Sequence, residues 1–319
     1  MTPENLKIRP VTNNHSDYQA LTRFYDYGYP EESVTALGLK LADESRPTDL
    51  ICKRWFAEQN GEVIGFGGFE HWADFYHPDK YLWHLIVAPE HQGRGVGSVL
   101  YQQVIEELEK RQPEFVRTWV QENRAESIHF AEKRGFARLK LKWNVRLDLK
   151  SWRPEPFLER LMAIERDEQI TVKSLAQLNN DLENQRKLYD LYVMTIDNIA
   201  AADTAIIANF EDFVAEIQHS PDEFFLVAIH NDRYVGMWQL ENKSSAALYG
   251  GIMAVEAAYR RHGAAFALAV HGIARARLFQ YDTLTVHTDE HNRAILALTE
   301  KMGFTHLPAQ IFFSKEYLR

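Results

Sequence analysis

Cysteine is nearly absent from this chain of 319 residues: Cys52 is the single one. No intramolecular disulfide and no cysteine metal cluster can form. Its setting, Leu50-Ile51-Cys52, suits a packed core residue better than a reactive thiol. A basic excess is also lacking, with 36 Lys and Arg against 45 Asp and Glu, a net charge of −9 and a pI near 5.8. That balance disfavours nucleic acid as a partner. Long apolar runs are missing too; none approaches the ~18 residues of a membrane span. The segment from Met1 to Thr12 is polar, without the apolar stretch of a signal peptide. We therefore expect no membrane partner and a cytoplasmic location. Low-complexity segments are absent.

What remains is ordinary globular material, 45% hydrophobic and 25% charged, in a length that suggests two domains. Strand patterns cover Tyr81 to Val87 and Phe115 to Val120, and Asn60-Gly61 marks a hairpin. Between them Val96, Leu100, Val104 and Leu108 recur every fourth residue, one stripe of a helix facing a sheet. Around Trp152, Pro154 and Pro156 the pattern breaks. We place a first domain at 1–150, a linker at 151–168 with a short helix over Phe157 to Arg166, and a second domain at 169–319. The second begins with a strand at Ile170 to Val172, then a helix opened by Asn180-Asp181 and running to about Ile196. A helix over 210–220, a hairpin across Asn231-Asp232, strands near 247–255 and 284–288, and helices near 263–279 and 294–302 follow. The chain ends in a strand over Gln310 to Lys315.

The two halves superpose by counting, at an offset of 168 residues. Val87, Gly95, Gly135 and Phe136 meet Val255, Gly263, Gly303 and Phe304. Gln92-Gly93-Arg94-Gly95-Val96-Gly97 aligns with Arg260-Arg261-His262-Gly263-Ala264-Ala265. An internal repeat kept in register this long points to tandem duplication. Each copy of the segment joins a strand to a helix. The first amides of a helix lack internal partners, and the helix dipole adds positive potential there. Small residues let a ligand come close to the backbone, so the turn is a seat for a pyrophosphate.

The Gln/Arg-x-x-Gly-x-Gly/Ala turn, the strand ending in Val87-Ala88-Pro89 and the helix ended by Gly-Phe resemble the GNAT superfamily of N-acetyltransferases, in its tandem two-domain form. The resemblance covers residues 50–147 and 224–315. It implies an α/β fold of two GNAT-like domains, each a mixed twisted sheet flanked by helices, with acetyl-CoA as co-substrate. The strand before each turn would splay from the next. The pantetheine arm would lie in that gap, on amides of Leu85, Ile86 and Val87 or of Met253 and Val255. The pyrophosphate would sit on residues 92–97 or 260–265. Asn292 falls where the family's cofactor-side asparagine lies; in the first half that place is Arg124, with Asn123 beside it. The tyrosine that many members use to protonate the leaving thiolate is replaced by Ala131 and Thr299.

The expected reaction is transfer of an acetyl group to a small-molecule amine by direct attack in a ternary complex. An amine is mostly protonated at neutral pH, so a base is useful. Glu70, at the end of the strand neighbouring 81–87, and His84, within 81–87, are the candidates; a solvated strand end and a satisfied sheet histidine are their plain alternatives. Glu241 ends the equivalent strand of the second half. Trp72, Phe75, Tyr76 and Trp83, with His71, His77 and His84, are candidates to line an acceptor pocket; with Asp74 they match no metal-ligand spacing. The first turn, with two glycines and Pro89, is the better formed and is the expected seat of acetyl-CoA; the second is still small enough to admit a ligand, so that both halves could bind one. The alternative function is an acyl-CoA-binding module with little or no transfer. A monomer and a homodimer are both compatible with the chain.

Overall fold

The computed structural model describes residues 4–29, 34–71, 77–196, 209–218, 220–242, 244 and 246–317. Trp72, Asp74, Phe75 and Tyr76 lie outside them. By packing, the chain divides into two units. One consists of Met1–Val120, Arg124–Leu139 and Ile311–Arg319, the other of Gln121–Asn123 and Lys140–Gln310. Counting along the sequence puts residues 311–319 in the second half; packing gives them to the first unit.

The first unit begins with β1 (Leu6–Pro10), α1 (His15–Gly28) and α2 (Ala36–Glu44). It continues through β2 (Cys52–Gln59), β3 (Glu62–Glu70), β4 (Lys80–Val87), α3 (Val96–Glu109), β5 (Phe115–Gln121) and α4 (Ala125–Glu132). Its sheet runs β1-β2-β3-β4-β5, antiparallel as far as β4, with β5 parallel to β4. Asn60 and Gly61 take φ of 52° and 86°, the backbone of a tight hairpin turn. Val96, Leu100, Val104 and Leu108 are buried along α3. Gly65 and Gly67 let that helix approach, since side chains there would meet Leu100 at 3.0 Å and Val104 at 3.3 Å. On the opposite face Tyr18, Leu21 and Phe24 of α1 pack on Phe56, Phe66 and Ile86.

The second unit takes up β6 (Ala137–Asp148), from Lys140 onward, and α5 (Glu155–Asp167). It goes on through β7 (Ile170–Ser174), α6 (Leu175–Leu178), α7 (Leu182–Ile196), α8 (Phe210–Ile217), β8 (Phe225–His230), β9 (Arg233–Asn242) and β10 (Ala247–Val255). Then come α9 (Ala264–Leu278), β11 (Thr283–Asp289), α10 (Arg293–Met302) and β12 (Thr305–Glu316). Its strands lie in the order β7-β8-β9-β10-β11-β6, followed by the start of β12. The cap of α7 is Asp181, which accepts from the amide of Asn184 at 2.9 Å, while Asn180 is tied to Asp222. The alanines of α9 serve close packing: most of the helix is buried, and a side chain at Gly272 would meet Trp238 at 2.5 Å.

The repeat read from the sequence is a structural repeat. Gly95 and Gly263 both cap their helices in the left-handed region, at φ 89° and 91°. Gly135 and Gly303 share that conformation, at φ 83° and 88°. Phe136 and Phe304 are both buried. Each unit is an α/β layer with a mixed sheet.

Candidate functional site

In each unit a pair of parallel strands parts near its end. β4 pairs with β5 at Lys80, Tyr81 and Leu82, and the register stops there. β10 pairs with β11 from Ala247 to Gly250 and stops there. Beyond Gly250 a bulge shifts β10 against β9 before the pairing resumes at Met253. Leu85, Ile86 and Val87, like Met253 and Val255, therefore keep antiparallel partners on one side and leave the side toward the parallel strand unpaired. A backbone edge of this kind offers amides and carbonyls to an extended ligand.

Both parted strands lead into the repeated turn. Among the described residues, the amides of Gly93, Arg94, Gly95, Val96 and Gly97 make no hydrogen bond within the protein, nor do those of Arg261, His262, Gly263, Ala264 and Ala265. These five-residue runs of outward donors at a helix start suit an anion. In each turn the first side chain reaches back to the last carbonyl of the strand: Gln92 Nε2 donates to Val87 O at 2.8 Å, and Arg260 Nε to Val255 O at 3.4 Å.

The surroundings of the two turns differ. In the second unit the parted strands open into a cavity of about 560 Å³. Met253, Val255, Arg260, Arg261, Gly263, Ala264, Ala265 and Asn292 all line it, together with Arg160, which the sequence did not single out. Asn292 also caps α10, accepting from the amide of Ile295 at 3.3 Å. His262 turns its ring away to Glu168, with Nδ1 2.8 Å from the carboxylate. A cavity of this size, small residues at its floor and guanidinium groups beside free amides fit a nucleotide-bearing thioester such as acetyl-CoA.

In the first unit the corresponding space is crossed by the protein itself. Arg124, the counterpart of Asn292, donates to the carbonyl of Tyr27 at 2.7 Å and lies over its ring. The Tyr27 hydroxyl accepts from Gln92 Nε2 at 3.2 Å. Gly28, the next residue, fits against Ile86 so closely that a side chain there would meet it at 2.2 Å. Tyr27 thus ties the residue after β5 to the turn after β4. Asn123 is exposed in the turn between β5 and α4, among residues packed with the second unit.

Glu70 and His84 come together in the first unit, with His84 Nε2 3.2 Å from Glu70 Oε1. Tyr29, not anticipated from the sequence, extends the chain: its hydroxyl lies 3.0 Å from His84 Nδ1 and its ring packs on Trp119. Glu70 also meets Arg46 at 3.3 Å and Arg54 at 3.6 Å. Burial opposes its charge, but His84 and the two guanidinium groups overcome that and hold the carboxyl at about 2. So acidic a carboxyl is a weak proton acceptor at neutral pH. Glu241 is its counterpart by register: Gly65 faces Val87 and Gly236 faces Val255, and each glutamate lies five residues further along its strand. The Glu241 carboxylate rests against Gly251, the first residue of β10 beyond the parallel pairing; a side chain there would meet Oε1 at 2.6 Å.

The other candidates have structural places. His71 Nδ1 accepts from the Ile51 amide at 3.0 Å, and its ring stacks on Tyr81. His77 Nδ1 accepts from the Asp79 amide at 3.2 Å. Trp83 packs against Tyr101 and Phe136. Cys52 is half-buried, and withdrawal from water pushes its thiol up to about 12. Ala131 and Thr299 are buried on their helices. Among the described residues no cluster of His, Cys, Asp or Glu could hold a metal, and no helix is long and apolar enough to cross a membrane.

Comparison with known proteins identifies the family. The sequence pattern of the acetyltransferase (GNAT) family matches twice, over residues 16–136 and 187–304. No curated protein matches the chain significantly. Among solved structures it is similar to a GCN5-related N-acetyltransferase from Sphaerobacter thermophilus, with 16% identity and a TM-score of 0.73 over 99% of this chain and 97% of the other. It is also similar to a tandem GNAT protein from the clavulanic acid biosynthesis pathway, with 14% identity and a TM-score of 0.71 over 98% of both chains. A third likeness, at 14% identity and a TM-score of 0.72, covers 98% of this chain. It covers 38% of the other chain, a fungal multi-domain GH3 β-N-acetylglucosaminidase in which a GCN5-related glucosamine N-acetyltransferase region exists. These structural likenesses speak to the fold alone; the family match supports acetyl transfer as the general activity.

Proposed function

We propose that this chain, which belongs to the acetyltransferase (GNAT) family, moves an acetyl group from acetyl-CoA to a small-molecule primary amine by direct attack in a ternary complex. The observation behind the choice of site is the 560 Å³ cavity where β10 and β11 part, lined by the turn after β10 and by Asn292. In this reading the amides of Arg261–Ala265 hold the pyrophosphate, and Arg260 and Arg261 add positive charge beside it. The free edge of Met253–Val255 aligns the pantetheine arm, and its amides polarise the thioester carbonyl. Glu241, resting on Gly251 where the strands part, takes a proton from the amine, directly or through one water. With no tyrosine at Thr299, the thiolate leaves without a protein acid at that position; a thiolate is stable enough for this.

A second reading gives the chemistry to the first unit, and it too has a specific observation behind it. Tyr29, His84 and Glu70 form a polar chain at 3.0 and 3.2 Å beside the parting of β4 from β5. Proton donation by the Tyr29 hydroxyl, which is bonded to His84, would compensate for the absent tyrosine at Ala131.

Free thiol released from acetyl-CoA, measured over a panel of amines, tests the function. Equilibrium binding of acetyl-CoA to Ala265→Glu and Gly97→Glu proteins tests the site. Ala265 is the better probe, because a side chain at Gly263 would strike Ile164 at 2.5 Å and confuse binding with folding. Tight binding without turnover on any amine would instead support an acyl-CoA-binding module. Binding that survives both substitutions, together and singly, would end the cofactor assignment.

A further inference from the structure

We infer that α5, which the sequence presents as a connector, is part of the cofactor site, and that its Arg160 binds the ribose 3′-phosphate of CoA. The inference rests on the acetyl-CoA reading of the cavity.

One face of α5 lies along the second turn and the start of α9. Phe157, Arg160, Ile164 and Glu168 recur at helical spacing, and each contacts that region. Phe157 packs edge-on against Phe266. Ile164 fills the space that a side chain at Gly263 would need. Glu168 holds His262 at 2.8 Å. These contacts fix the helix and deliver Arg160, exposed and lining the cavity, with its guanidinium 4.9 Å from the Phe266 ring centre.

The chemistry of the cofactor asks for a second anion site. CoA carries a pyrophosphate and, apart from it, a phosphomonoester on the ribose. The turn's amides are matched to one of these groups only, because their potential fades within the first helical turn. Arg160 stands beside Phe266, beyond the last free amide at Ala265, and Lys301 Nζ lies 5.2 Å from the centre of the same ring. A guanidinium that lines the cavity beyond the turn gives a phosphomonoester a place away from the turn's amides. A guanidinium fork suits it better than an ammonium.

The experiment is calorimetric titration of the full chain with CoA and with dephospho-CoA, repeated for Arg160→Ala. The wild-type protein should bind CoA about ten-fold more tightly than dephospho-CoA. That preference should shrink as salt rises. Arg160→Ala should remove most of the preference by weakening CoA alone and leaving dephospho-CoA where it was. Circular dichroism of the variant checks that the exposed substitution leaves the fold intact. If Arg160→Ala weakens both ligands equally, or neither, the assignment to the 3′-phosphate is wrong while the cavity reading stands. If the wild-type chain binds neither ligand, the acetyl-CoA reading falls and takes this inference with it.

Discussion

Gly95 and Gly263 open their helices with almost the same backbone, at φ 89° and 91°, and each is the middle of a run of five free amides. What differs is the residue that precedes the helix after the neighbouring parallel strand. In the second unit it is Asn292, which folds back to cap its own helix and leaves the cavity open. In the first it is Arg124, long enough to reach the carbonyl of Tyr27 and draw the end of α1 across the gap. The first turn has more glycine and the better match to a family pattern, yet side chains from elsewhere in the chain occupy its approach. A phosphate seat is thus set by backbone, and its accessibility by side chains outside the motif.

The sharpest way to break this comparison is to close each turn with a carboxylate. Ala265→Glu puts a negative charge at the seat for the pyrophosphate and should weaken acetyl-CoA binding at least about 100-fold. Gly97→Glu should change it little. Titration calorimetry on the two proteins reads the difference directly, and the reverse result would move the cofactor to the first unit.

Next in size is the acid–base test. Glu241→Gln should lower thiol release with the best amine about 100-fold while acetyl-CoA affinity stays within about two-fold. Loss of turnover on Tyr29→Phe instead, with Glu241→Gln active, would favour the first unit as the catalytic one.

The ion network of the first unit makes a stability prediction. The Glu70 carboxyl is held at about 2, below its ordinary range, so its contribution is present above the ordinary carboxylate pKa and fades as pH falls toward 2. Glu70→Gln leaves the buried guanidinium of Arg54 with one carboxylate partner fewer. It should cost about 2 kcal/mol near neutral pH and flatten that part of the acid limb between about pH 4.5 and pH 2. Urea unfolding of the two proteins across that range tests it.

The smallest expected effect sharpens the comparison from the other side. Arg124→Asn gives the first unit the residue of the second and frees Tyr27. Stability should shift by less than about 1 kcal/mol. A second, weaker acetyl-CoA binding event should appear in the calorimetric trace. An unchanged stoichiometry would mean that more than Arg124 closes the first gap.

The sequence makes the duplication, the turns and the sheet class legible because each depends on local signals: glycines needing a left-handed backbone, helical stripes and a fixed spacing between them. Glu70 and His84 could also be named, since both lie on strands beside the turn. Tyr27 and Tyr29 could not. They reach the site from the end of α1, and 55 residues separate Tyr29 from His84, a distance no periodicity bridges. Arg160 was hidden for a related reason. Its helix reads as a connector, and only the folded chain shows one face of α5 laid against the second turn. β12 begins at Thr305, before the segment 310–315 that looks like a strand, because Pro308 masks the pattern. The four-residue helix α6 is too short for a stripe and shows itself only through the capping pair Ser174 and Gln177.

The setting of Cys52 has a practical consequence. With its thiol pushed up to about 12, almost none of it is thiolate at the mildly alkaline pH used for chromogenic disulfide reagents. Because it is the chain's one cysteine, the protein should stay nearly silent toward such reagents. Colour that develops during catalysis would then count liberated CoA and almost nothing else.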